Sequence, residues 1–190
     1  MHARQRVFAT WSANSVFFFA ILVTLASARL FAEDQIAVTA KGRTITLQEH
    51  GAAHSYEFDD EDLVLSEIDS AKLLFHDRVK NETYLLMYVS GPSTGGGNGR
   101  CGAGEEEYLV WLAVGSTWQK DDQKIELIGS CFFSVQSTSS ESYTIKQKKL
   151  TAEYDRYTES EGTRSTLTYD SAMPEKAWQI EHTPVPHQQQ

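Results

Sequence analysis

Two apolar runs decide the fold, Tyr84-Leu85-Leu86-Met87-Tyr88-Val89 and Tyr108-Leu109-Val110-Trp111-Leu112-Ala113-Val114. Both are short and rich in aromatic and branched aliphatic residues, which favour strands. The segment between them, from Gly91 to Gly104, is dominated by glycine, which disfavours a helix. The two runs therefore predict two strands that are joined by a loop.

The sequence on both sides of these runs has the same character. Residues 36–40 and 44–47 flank Lys41-Gly42-Arg43, and residues 73–75 precede the first apolar run across a polar connection, so each pair predicts a hairpin. Further short runs lie at 125–128, 131–135, 143–145, 150–154, 166–169 and 178–180. Turn signals recur roughly every ten residues, which is typical of all-β proteins. We predict a single antiparallel β-sandwich or barrel-like domain.

Two polar segments are predicted to connect strands. The acidic run at 59–62 predicts a loop that enters a strand or a short helix at 63–65. Residues 155–164 are polar and contain Gly162, which suits the tip of a long hairpin.

The N-terminal segment predicts export. Arg4 and Arg6 precede an apolar stretch at 16–25, and Ala26-Ser27-Ala28 supplies the small residues that signal peptidase requires. An uncleaved anchor is the alternative. We expect residues 1–28 to be a signal peptide, residues 29–183 to form the β-rich domain, and residues 184–190 to be a disordered tail. We therefore predict a periplasmic or secreted protein with no membrane span in its mature form.

Charge and cysteine content narrow the function. The net charge is −9, and it becomes −11 once Arg4 and Arg6 are removed. This excess argues against nucleic acid and favours a cationic protein partner. In an oxidising compartment, the two cysteines, Cys101 and Cys131, predict one disulfide.

The glycine-rich segment contains two motifs that their context does not support. Residues 97–102 match a dinucleotide fingerprint, but Glu105-Glu106-Glu107 would repel phosphate where the motif needs a helix N-terminus. Residues 91–95 match a nucleophile elbow around Ser93, but glycines occupy the place of the required helix. Asp155 or Asp170 could follow with His182 in the order of a serine-hydrolase triad.

The same segment is the candidate partner-binding loop, because loops on a rigid scaffold often carry binding sites. Its alternative role is that of a connection alone. The predicted contact residues are Gly95, Gly97, Gly99, Gly102, Gly104, Glu105, Glu106 and Glu107.

His50 and His54 are four residues apart, a spacing that brings two imidazoles together only on a helix. Since strand patterns surround them, we expect hairpin histidines rather than a metal site, and no cofactor is predicted.

The sequence favours a binding or inhibitory module over an enzyme. The alternatives are a small exported hydrolase that uses Ser93 or a metal at His50 and His54, and a structural component of the envelope.

Overall fold

The computed structural model describes residues 36–59, 61, 63–94 and 104–186. Their regular structure consists of strands and one short 3-10 turn, Pro174–Lys176, so the predicted all-β class is confirmed. The strands are β1 (Ala37–Lys41), β2 (Thr44–Glu49), β3 (Ala52–Glu57), β4 (Ser70–Val79), β5 (Glu82–Pro92), β6 (Glu105–Val114), β7 (Lys120–Ser130), β8 (Val135–Ser137), β9 (Thr144–Lys146), β10 (Lys149–Tyr157), β11 (Gly162–Asp170) and β12 (Trp178–Val185). A helix that could cross a membrane does not occur within the described ranges.

The strands form two antiparallel sheets. The small sheet has the order β1-β2-β3, and the large sheet has the order β12-β11-β10-β8-β7-β6-β5-β4. β9 pairs with the same edge of β10 as β8 does, but at the other end of that strand. Because most neighbours in the sheet are also neighbours along the chain, short turns can connect them.

The two predicted hairpins are confirmed. β1 pairs with β2 around Gly42, whose φ of +58° suits a turn, and β4 pairs with β5 around Lys80 and Asn81. β3 was not predicted, because Tyr56 is its only fully buried side chain. The expected strand or helix at 63–65 is replaced by a single bridge between Leu65 and Ser93.

The small sheet covers one face of the large sheet. Ile45, Leu47 and Tyr56 pack with side chains from one face of β5 and β6, including Met87 and Val110. Burial of these apolar surfaces is the main stabilising term for this half of the molecule.

The large sheet curves, so that the opposite face of β5 and β6 is also covered. Trp111 lies in a second core with Leu150 and Leu167, and its Nε1 donates a 3.0 Å hydrogen bond to the carbonyl of Pro174. The rings of Phe75 on β4 and Tyr169 on β11 lie 5.3 Å apart. Both faces of β5 and β6 are therefore buried, which explains why these strands are continuous apolar runs.

One end of the large sheet collects several connections, and we call it the loop end. It contains Ser93 and Gly104, which are the first and last described residues of the connection between β5 and β6. It also contains the turn at 131–134 and the hairpin tip at 158–161. The predicted hairpin tip is confirmed, although it is shorter than expected. β12 extends to Val185, two residues into the segment that was predicted to be a tail.

Candidate functional site

The glycine-rich segment connects β5 to β6 at the loop end. The backbone N–H of Ser93 donates a 3.1 Å hydrogen bond to the carbonyl of Gly104, which brings the two ends of the connection together. Gly95, Gly97, Gly99, Gly102 and Cys101 lie outside the described residues. The predicted loop contacts and the predicted Cys101–Cys131 disulfide therefore stay predictions.

The three consecutive glutamates do not form one acidic surface. Glu105 is exposed and Glu107 is half-buried, whereas Glu106 is fully buried, because successive residues of β6 point to opposite faces. Ser142 donates a hydrogen bond from its hydroxyl to Glu107 Oε2. The sequence-based assignment of Glu106 to a partner-binding surface is therefore corrected.

The residues considered for catalysis belong to different strands: Ser93 follows β5, and His182 lies on β12. The helix that a nucleophile elbow requires directly after Ser93 would fall on residues 95–103, which lie outside the described residues, and β6 begins at Glu105. Gly91 has a packing role instead, since a Cβ there would lie 2.1 Å from the carbonyl oxygen of Glu67. His182 is hydrogen-bonded to Ser165 at 3.0 Å.

The two candidate metal ligands also have separate positions. His50 occupies the turn between β2 and β3, and His54 on β3 stacks on Trp118 with ring centroids 4.4 Å apart. Among the described residues, no group of three or more potential metal ligands is present.

An exposed aromatic pair, Phe132 and Phe133, was not recognised in the sequence. The run at 131–135 was interpreted as a strand, but residues 131–134 form a turn in which Ser134 has a φ of +53°. The side chains of Phe132 and Phe133 are 55% and 41% exposed, and their rings meet edge to face at 4.9 Å. Aromatic side chains are enriched in protein interfaces, so the pair is a candidate anchor for a partner.

A groove of about 580 Å³ lies beside this turn. It occupies a gap in the large sheet, because β8 is only three residues long and pairs with β7 at Ser130 alone. Beyond that pair, β7 faces β10 across the groove, which is lined by Glu61, Tyr108, Glu126, Phe133, Arg156 and Tyr157 together with apolar and polar neighbours.

Side chains bridge the gap where backbone pairing is missing. Tyr154 on β10 donates a 2.6 Å hydrogen bond to Glu126 Oε1 on β7, and Arg156 reaches the same oxygen at 3.5 Å. Burial and Glu126 both raise the pKa of the Tyr154 hydroxyl, so this group stays protonated as a donor at neutral pH. Ser165, the partner of Tyr154 on β11, is hydrogen-bonded to the exposed His182 at 3.0 Å.

The loop end combines exposed carboxylates with arginines that already have partners. Arg43 donates to backbone carbonyls, including that of Phe58 at 2.8 Å, and Arg164 is bound to Asp155 at 2.8 Å. The exposed carboxylates near this end are those of Glu61, Glu67, Asp69, Glu105, Glu159 and Glu161. These carboxylates would attract a cationic surface.

Comparison of the chain with protein-family models, curated proteins and solved structures finds no match.

Proposed function

We propose that this protein is an exported binding or inhibitory module whose loop end contacts a basic protein partner. The observation that carries the proposal is the exposed pair of Phe132 and Phe133 beside a groove and among exposed carboxylates. Interfaces combine a small apolar centre with a polar rim. In this protein, the phenylalanines would supply the centre and the carboxylates the rim.

The glycine-rich connection belongs to the same proposed surface. Cys131 directly follows Ser130, which pairs with Glu106, and Cys101 lies five positions before Glu106 in the sequence. A Cys101–Cys131 disulfide would therefore tie the connection to the turn that carries Phe132 and Phe133. Such a bridge would limit the freedom that the loop loses when it binds.

Export and the disulfide can be tested together. The protein should be recovered outside the cytoplasm with its N-terminus after residue 28. Its unreduced mass should be lower than its reduced mass by two hydrogen atoms. Intact-mass spectrometry of the recovered protein measures both, and a cytoplasmic chain with free thiols would contradict this part of the proposal.

Partner binding is tested by capture on the immobilised mature protein from the extracytoplasmic fraction of the source organism. We expect a basic protein to be retained, and we expect the Phe132→Ser/Phe133→Ser variant to retain at least tenfold less, since central aromatic anchors dominate interface energies. The matched control is Ile145→Ser/Met173→Ser, which removes two similarly exposed apolar side chains that lie away from the loop end.

The charge of the partner gives a second readout. Raising the salt concentration from about 50 to 300 mM should weaken retention several-fold, because opposite charges near an interface are screened. Retention that is unchanged in the double-phenylalanine variant, or equal loss in the control variant, would contradict the proposal.

A further inference from the structure

We infer that the groove beside Glu126 binds an arginine side chain of the protein partner. This inference rests on the proposed function and specifies the chemistry of the contact. It depends on three observations: a fixed carboxylate, aromatic walls, and the charge balance of the lining residues.

The carboxylate of Glu126 is held in place through one of its two oxygens. The hydrogen bonds from Tyr154 and Arg156 both end on Oε1, so Oε2 keeps its capacity to accept among the described residues. The Glu126 side chain is 21% exposed, which makes it reachable from the groove. A carboxylate that is oriented before binding loses little freedom when a ligand arrives.

The donor that orients Glu126 is itself fixed. Tyr154 is fully buried in the second core, next to its cross-strand partner Ser165, which is buried as well. Its ring packs among core side chains that include Leu150 and Leu167, so its hydroxyl has a fixed position. The hydrogen bond from this hydroxyl therefore holds the Glu126 carboxylate in one orientation.

The walls of the groove suit a planar cation. The rings of Phe133 and Tyr157 line the groove with Glu126, and Glu61 adds a second carboxylate. A guanidinium group is planar, is weakly hydrated and stacks on aromatic faces, whereas an ammonium group is a compact and strongly hydrated charge. Arginine therefore fits this lining better than lysine does.

The charge balance also favours a cation. The described lining residues include one basic side chain, Arg156, and two carboxylates, those of Glu61 and Glu126. Its contact with Glu126 is long, at 3.5 Å, and its side chain is 49% exposed. An incoming arginine can therefore compete with it for the carboxylate.

The experiment is an NMR titration of the labelled mature protein with N-acetyl-arginine amide. N-acetyl-citrulline amide is the neutral probe of nearly the same shape, and N-acetyl-lysine amide tests the preference for a guanidinium. We expect saturable shifts at groove residues with a Kd on the order of 1 mM for arginine. The citrulline probe should bind at least fivefold more weakly, and the lysine probe should fall between the two.

Two variants test the assignment to Glu126. Glu126→Gln keeps an acceptor for Tyr154 but removes the charge, so it should weaken arginine binding at least fivefold. Glu175→Gln, in the exposed turn that follows the opposite end of β11, should leave binding unchanged. Arg156→Gln removes the competing cation and should tighten arginine binding two- to fivefold. Well-dispersed amide spectra establish that each variant is folded.

Several results would overturn the inference. These are equal binding of citrulline, unchanged binding in Glu126→Gln, or binding of N-acetyl-glutamate amide that is lost in Arg156→Gln. Failure here is distinct from failure of the proposed function, because partner capture that depends on Phe132 and Phe133 but not on Glu126 would leave the module intact and remove only the arginine site.

Discussion

Two glutamates on neighbouring strands have opposite environments. Glu106 on β6 is fully buried, and neither of its carboxylate oxygens has a hydrogen-bond partner among the described residues. Glu126 on β7 is bound by Tyr154 and Arg156 and faces a groove. Both regions contain a glutamate, but among the described residues only Glu126 has hydrogen-bond donors for its carboxylate.

The difference originates in what covers each carboxylate. Glu106 pairs with Gly91 on β5, and the backbone at Glu67 packs against Gly91 on the face that also carries the Glu106 side chain. Glu126 pairs with Leu109 on one side only, because β8 is too short to reach it on the other. A covering segment therefore encloses Glu106, whereas the gap in the sheet leaves room beside Glu126 for side-chain partners and a ligand.

The largest expected effect is at Glu106. Replacing it by Met keeps an unbranched side chain and removes a buried carboxyl group that has no hydrogen-bond partner among the described residues, which should raise the free energy of unfolding by about 3 kcal/mol. Denaturant unfolding measures the change. The exposed neighbour provides the control, because Glu105→Met should change stability by no more than about 0.5 kcal/mol. A loss of stability in Glu106→Met would mean that the carboxylate has a stabilising partner.

Glu126→Met should have the opposite sign. It leaves the buried Tyr154 hydroxyl without its acceptor, which should lower the free energy of unfolding by about 2 kcal/mol. The double variant Glu126→Met/Tyr154→Phe removes both partners and should recover more than half of this loss. If the two single losses instead add in the double variant, the hydrogen bond does not couple the two residues.

Much of the fold could be predicted from the sequence, because strands and turns depend on the residues within each short segment. The apolar runs at 84–89 and 108–114 are β5 and β6, and the glycine at position 42 marks a real turn. Local patterns were less informative where packing against other strands decides whether a segment forms a strand or a turn. The run at 131–135 is apolar, yet most of it forms an exposed turn, since its backbone leaves the sheet after Ser130.

The candidate site could be predicted only in part. The loop end was recognised from its glycines, but three adjacent glutamates suggest a solvated surface, and only the register of β6 shows that the middle one is buried. The groove depends on contacts between Glu126 and residues about thirty positions away, which no motif encodes. Spacing alone could not reveal a gap that exists because one strand is short.

The smallest expected effect concerns Asp155, a carboxylate next to Tyr154 on the opposite face of β10. Arg164 donates two hydrogen bonds to it, at 2.8 and 2.9 Å, and is the main reason that its pKa lies below the ordinary value of 3.8. Because the pKa is lower in the folded state, the stabilisation is fully present above the unfolded value and is lost as the pH falls through the folded value.

Asp155→Asn should therefore lower the free energy of unfolding by about 1 kcal/mol at pH 7 and by progressively less below pH 4, since the wild-type carboxylate becomes protonated there. Denaturant unfolding at several pH values measures this convergence. Glu153→Gln, on the same strand but exposed, should show almost no difference at any pH. If Asp155→Asn has the same cost at pH 7 and pH 3, Asp155 acts through hydrogen-bond geometry rather than through its charge, and its difference from Glu106 lies in the hydrogen bonds from Arg164.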